Sequence, residues 1–129
     1  MDIQRVKNYW LEDAEDDLRV MHHLFEAGDY SYALFWGHLA VEKILKAVYV
    51  VRNGEHAPYS HNLERLAVLS GLELTDSISS QLEKITRYNI ESRYPDDTRE
   101  FRKLCTEKFT RIELSQIEEI FKWIRTMLM

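Results

Sequence analysis

The chain is poor in the residues that punctuate and cross-link proteins: it has four glycines, two prolines and one cysteine in 129 residues. A lone Cys105 excludes an intramolecular disulfide. With no C-x-x-C pair and no Cys/His cluster there is no zinc site to expect either, and a reducing, cytoplasmic setting is favoured. So few glycines and prolines leave too little turn chemistry for a many-stranded sheet or a glycine-rich phosphate loop. Long apolar runs are also missing. The longest, Ala47-Val48-Tyr49-Val50-Val51, falls far short of the ~18 residues that cross a membrane. The start, Met1-Asp2-Ile3-Gln4-Arg5, lacks the basic-then-apolar pattern of a secretory signal, so no membrane partner is expected. What remains is 45% hydrophobic and 30% charged, enough for one self-sufficient domain with a continuous core.

The few breakers sit at Gly28, Gly54 with Pro58, Gly71 and Pro95, and the stretches between them have helical periodicity. A first helix spans 2–27, with Val6, Trp10, Ala14, Leu18, Met21 and Phe25 along one face. A second, 31–53, is apolar around most of its circumference, which places it either at the centre of a bundle or under a partner chain. A short helix is expected to start at Ser60 as its N-cap, and a fourth to open at Thr75 or Asp76 and to fray near Ser92, before Tyr94-Pro95. From Thr98 onward Phe101, Leu104, Cys105, Phe109, Ile117, Ile120, Phe121, Ile124 and Leu128 continue the period, with a bend at Thr110 or Ser115. The expected fold is therefore all-α: a single antiparallel, up-and-down bundle over 1–129, of four main helices plus a short one.

The net charge is −5, yet residues 1–83 carry 14 acids against 7 bases while 84–111 carry 5 acids against 8 bases. A basic segment of this kind can create local potential for phosphate on an acidic protein, or can be an ordinary solvated helix face. Three constellations carry possible chemistry. His38, Glu42 and Lys46 recur at spacing four with Lys43 beside them, a stripe that on a mostly apolar helix is either a stabilising ion pair or a set awaiting solvent, partner or ligand. Ser60-His61-Asn62 brings an imidazole to a helix start, where an anion could meet it. The segment from Tyr88 to Asp97 combines tyrosines, Arg93 and acids, which suits either stacking on a base beside a phosphate or a tyrosine packed under a loop. His22-His23 face different ways on a helix, so no metal site is expected, and Cys105 lies among core positions, as a small hydrophobe rather than a nucleophile.

In order along the chain stand W-x-x-x-A-x-x-D-L at Trp10, Ala14, Asp17 and Leu18, then G-D-Y-x-x-A-x-F from Gly28 to Phe35. A-V-E-K-x-L-K-A follows from Ala40 to Ala47, S-H-N-L-x-x-L from Ser60 to Leu66 and R-Y-P-D from Arg93 to Asp96. This series resembles the HEPN domain, named for higher eukaryotes and prokaryotes. The resemblance implies a helical bundle, usually homodimeric, encoded in prokaryotes beside a minimal nucleotidyltransferase, with roles in nucleotide binding and, as the toxin of a toxin–antitoxin pair, in metal-independent RNA cleavage. The cleaving members carry R-x(4 to 6)-H, whereas here Arg52 precedes His56 by three intervening residues and His61 by eight. Arg52, His56 and His61 are therefore the only catalytic candidates, and a binding protein without cofactor is expected ahead of an enzyme. By match to family positions, the candidate ligand residues are Glu42, Lys43, Lys46, His61, Arg93, Tyr94 and Asp96, expected to converge on one groove. The remaining readings are a ribonuclease with an altered Arg/His motif and a non-catalytic helical adaptor.

Overall fold

The computed structural model describes residues 1–96 and 99–129; Asp97, the end of the Tyr88–Asp97 segment, and Thr98, from which the last helical period is expected, lie outside the described residues. Among those described there are six helices and no strand: α1 Ile3–Glu26, α2 Tyr30–Asn53, α3 Leu63–Leu69, α4 Asp76–Glu91, α5 Glu100–Leu104 and α6 Glu107–Thr126. The all-α expectation holds. No helix among the described residues is long and apolar enough to cross a membrane.

Helix starts follow side-chain capping. Asp2 accepts from the Arg5 amide, Thr75 from Ile78 and Thr106 from Phe109, each satisfying an N–H that the first turn leaves orphaned. Two sequence-based boundaries change for this reason. Asn62, not Ser60, caps α3 by accepting from the Arg65 amide, while Ser60 Oγ accepts from the Asn62 amide one step earlier. The C-terminal helical stretch breaks at Cys105-Thr106 rather than at Thr110 or Ser115, because the Thr106 cap restarts it; Thr110 is fully buried inside α6. The last stretch is thus two helices, one of them five residues long.

The apolarity of α2 is explained within one chain. It packs against α1, α3, α4, α5 and α6, and 14 of its 24 residues are buried. Of the two placements open to such a helix, the centre of the bundle is the one it takes. Gly28, at φ 84, turns the chain between α1 and α2, and the pairing of Met21 with Gly37, Asp17 with Lys43 and Trp10 with Lys46 gives these helices an antiparallel register. Gly37 permits the closest approach: a Cβ there would lie 2.7 Å from Ile117 Cδ1 and 3.0 Å from Met21 Sδ. Gly37→Val should therefore destabilise by about 1–3 kcal/mol through overpacking, read as a lower urea midpoint at unchanged slope.

Candidate functional site

On α2, Phe35, His38, Glu42 and Lys46 fall within about 80° of one another around the helix axis and so form a single stripe. Each of the last three is buried although polar: His38 is fully enclosed, Glu42 is 4% exposed and Lys46 6%. Against them lie Tyr59 and His61 from the segment after α2, together with Trp10 from α1. His38 Nε2–H donates to the His61 carbonyl oxygen at 3.1 Å, and His61 Nδ1–H donates to Glu42 Oε1 at 2.7 Å. Lys46 Nζ donates to Glu42 Oε2 at 3.1 Å, its ammonium 5.1 Å from the Trp10 ring centre and 5.9 Å from that of Tyr59. The buried pair is thus hydrogen-bonded and stacked, which such a pair needs to offset its desolvation.

These bonds fix the two imidazoles differently. A carbonyl and a carboxylate can only accept, so His38 carries its proton on Nε2 and His61 on Nδ1. His38 Nδ1 is left bare, buried and without a partner among the described residues. Burial pushes the His38 imidazole below its usual range, against the opposing pull of the His61 carbonyl and Glu42, so it stays neutral. A group whose folded value is lowered supports stability above the ordinary imidazole value and loses that support as pH falls through the lowered one. His61 is the outward member: its side chain is 42% exposed, and Nε2 makes no hydrogen bond among the described residues.

The stripe continues at its other end onto the segment that follows α4. The Arg93 guanidinium lies 4.9 Å from the Phe35 ring centre and 5.1 Å from that of Tyr94, and it is held by the Asn89 carbonyl at 2.9 Å and Asn89 Oδ1 at 3.1 Å. Among the described residues no carboxylate pairs with Arg93, which is exposed, as is Tyr94 at 65%. At the opposite end Tyr59 is 90% exposed, its ring edge-on to His61 at 5.4 Å.

Of the residues singled out in the sequence, Glu42, Lys46 and His61 meet directly, and Arg93 with Tyr94 extends the same line. Lys43 does not join them. It turns to α1, where its ammonium is 2.6 Å from Asp13 Oδ2 and 2.7 Å from Asp17 Oδ2; burial opposes its charge, but those two hydrogen bonds outweigh it and raise the lysine's pKa. Asp96 lines a separate 540 Å³ groove with Ile90, Glu91, Tyr94, Phe101 and Leu104. Arg52 donates to the carbonyl oxygens of Gly71 at 3.1 Å and Ser70 at 3.4 Å, far from a role beside His61, while His56 is an exposed loop residue. Sequence reasoning missed Trp10, Tyr59 and Asn89. Trp10 sat in a core-type period, and only the contact with Lys46 across two helices reveals its second role.

No cluster of three or more metal-ligating side chains exists among the described residues. Cys105 is buried, and burial pushes its thiol up to about 11, as befits a core residue.

Comparison with protein families gives a match to the HEPN domain over residues 8–127. The chain belongs to the HEPN family. A comparison with curated proteins gives no match. Among solved structures it is similar to TT1696 from Thermus thermophilus, with 22% identity, a TM-score of 0.77, and coverage of 94% of this chain and 97% of that one. At that identity the likeness speaks for the fold. In this HEPN domain the A-V-E-K stretch therefore divides its labour: Lys43 ties α2 to α1, whereas Glu42 and Lys46 build the site under His61.

Proposed function

We propose that this HEPN protein binds a nucleotide or RNA on the exposed surface over the α2 stripe, at Arg93, Tyr94 and His61, and that it does so as a homodimer working with a minimal nucleotidyltransferase in a toxin–antitoxin-like module. The observation that carries the binding reading is Arg93: an exposed guanidinium, paired with no carboxylate among the described residues, between the Phe35 ring and an exposed tyrosine, in line with the outward face of His61. A guanidinium so placed can grip phosphate while the tyrosine takes a base. Lys43 and Lys46 are neutralised by their own carboxylates, so the phosphate contact falls to Arg93 with His61 beside it. Titration with nucleotides and with short RNA tests this. Arg93→Ala is expected to weaken binding about tenfold or more and to flatten its salt dependence; an affinity that neither salt nor Arg93→Ala changes would overturn it.

The homodimer is supported by the groove of α4 and α5, where Ile90 and Leu104 are more than half exposed and Tyr94 stands at the rim. Leu104→Glu should then shift the species seen in sedimentation to a monomer. The nucleotidyltransferase partnership is supported by family membership, and co-purification with the product of an adjacent nucleotidyltransferase gene tests it.

One observation favours a second reading, metal-independent RNA cleavage. Glu42 holds His61 in the tautomer that leaves Nε2 bare and outward, the arrangement a general base requires. Here the altered motif would run through His61 and not Arg52. RNA hydrolysis in the presence of a chelator should be lost in His61→Ala and kept in Arg52→Ala; activity surviving in His61→Ala sinks it.

A further inference from the structure

The G-D-Y turn that opens α2 takes no part in the site described above, and it leaves polar groups unanswered. Gly28, at φ 84, closes α1, and the Asp29 amide donates to the Leu24 carbonyl at 2.9 Å. With that bond made, Asp29 stands at φ −88, ψ 66, outside the extended backbone from which an N-cap side chain turns back. It therefore occupies the N-cap position of a 24-residue helix without capping it. The amides of Tyr30, Ser31 and Tyr32 have no acceptor among the described residues, which leaves the positive end of the α2 dipole unanswered. Water alone can serve such a helix start.

Two side chains make this one different. Ser31 is 7% exposed and lines a 280 Å³ cavity with Asp29, Tyr32 and Arg102. Its hydroxyl makes no hydrogen bond among the described residues, although a hydroxyl so enclosed normally has a partner, and only the cavity is left to supply one. Arg102 brings a charge. Its Nη2 donates to the Tyr32 hydroxyl at 2.8 Å and its guanidinium lies 4.9 Å from the Tyr32 ring centre, which fixes it beside the first turn of α2. Among the described residues no carboxylate pairs with Arg102; Asp29, the one carboxylate lining the cavity, is exposed and forms no ion pair with it. Amide, hydroxyl and guanidinium groups all donate, so the complement is an anion with several acceptor oxygens. The cavity is smaller than the roughly 300–1,000 Å³ that holds drug-sized ligands, which selects a small one.

We infer that the start of α2 is a binding site for a phosphate-type oxyanion, held by the Ser31 and Tyr32 amides, the Ser31 hydroxyl and the Arg102 guanidinium. It uses none of Arg93, Tyr94 and His61, so it stands or falls apart from the nucleotide-binding reading. A free phosphate ion and the terminal phosphate of a larger molecule offer the same oxygens.

The test is titration of the intact, isotope-labelled protein with inorganic phosphate and with phenyl phosphate, followed by amide NMR at constant ionic strength. The Ser31 and Tyr32 amide resonances should move along a saturable curve. Arg102→Gln should weaken binding about tenfold or more and Ser31→Ala about threefold to tenfold, whereas Asp29→Asn should tighten it several-fold by removing a like charge. Because the Ser31 hydroxyl has no partner to lose, Ser31→Ala should fold as the wild type does, which circular dichroism checks. A response to inorganic phosphate alone would identify a free ion as the ligand, and an equal or stronger response to phenyl phosphate a phosphate carried by a larger molecule; either keeps the site. Ser31 and Tyr32 amides that stay still while those near Arg93 move would overturn it and leave the nucleotide-binding reading standing. Binding that persists unchanged in both Arg102→Gln and Ser31→Ala, or that weakens in Asp29→Asn, would overturn it as well.

Discussion

Replacing Glu42 by alanine is expected to lower the unfolding free energy by about 3–5 kcal/mol, a fall in melting temperature of roughly 10–20 °C for a domain of this size. The carboxylate does three things at once: Oε2 accepts from Lys46, Oε1 accepts from His61, and the same Oε1 lies 3.8 Å from His38 Nε2. Its removal strands the Lys46 ammonium, 6% exposed, with only the faces of Trp10 and Tyr59 for company. It also unclasps the ring by which 54–62 is held to α2. An uncompensated buried charge is far more costly than a missing pair, so the double variant Glu42→Leu/Lys46→Met should recover most of the loss. Chemical unfolding of both variants checks this. A Glu42→Ala deficit below about 1 kcal/mol would show that water reaches the pair, as it does at exposed salt bridges.

The helices were legible in the sequence because their signals are local. Asp2, Thr75 and the glycine after α1 act on their own turns, and the period of Val6, Ala14 and Met21 reports one buried face. The two shifted boundaries are also local, but there two capping residues compete: Ser60 with Asn62, and Thr106 with Thr110. The winner is the one whose backbone can be extended while its side chain turns back, which Asn62 and Thr106 are. Part of the site was legible for the same reason, since spacing four alone puts His38, Glu42 and Lys46 on a line. What spacing could not separate is Lys43 from Lys46. They are three residues apart on the same helix, and their different fates depend on the register against α1, which brings Asp13 and Asp17 to the first and Trp10 to the second. Arg93 and Tyr94 were likewise visible as a pair of types, whereas the Phe35 ring that seats the guanidinium is contributed from 58 residues away in the chain.

Lys43→Met is expected to cost about 3 kcal/mol near pH 7, and the cost should shrink on acidification. Asp17 is 5% exposed, and burial raises its carboxyl pKa above the ordinary value of 3.8 while the hydrogen bond and charge of Lys43 hold the rise in check. Methionine keeps the length and apolar stem of the lysine but removes both restraining causes, so the Asp17 carboxyl should rise further. The sign follows from linkage. A group whose folded-state value is raised contributes its stability below the unfolded value and loses it as pH climbs through the folded one, so near pH 7 the variant must keep a buried, unpartnered carboxylate. As pH falls through the raised value, Asp17 takes up a proton and the penalty is released. Urea unfolding of wild type and variant at about pH 7 and about pH 4.5, comparing the difference between them at each, should therefore give the smaller deficit at the lower pH. A deficit that stays the same at both pH values would mean that Asp13, the more exposed of the two carboxylates at 39%, and not Asp17, holds the charge that Lys43 answers, and a deficit that grows on acidification would overturn the account.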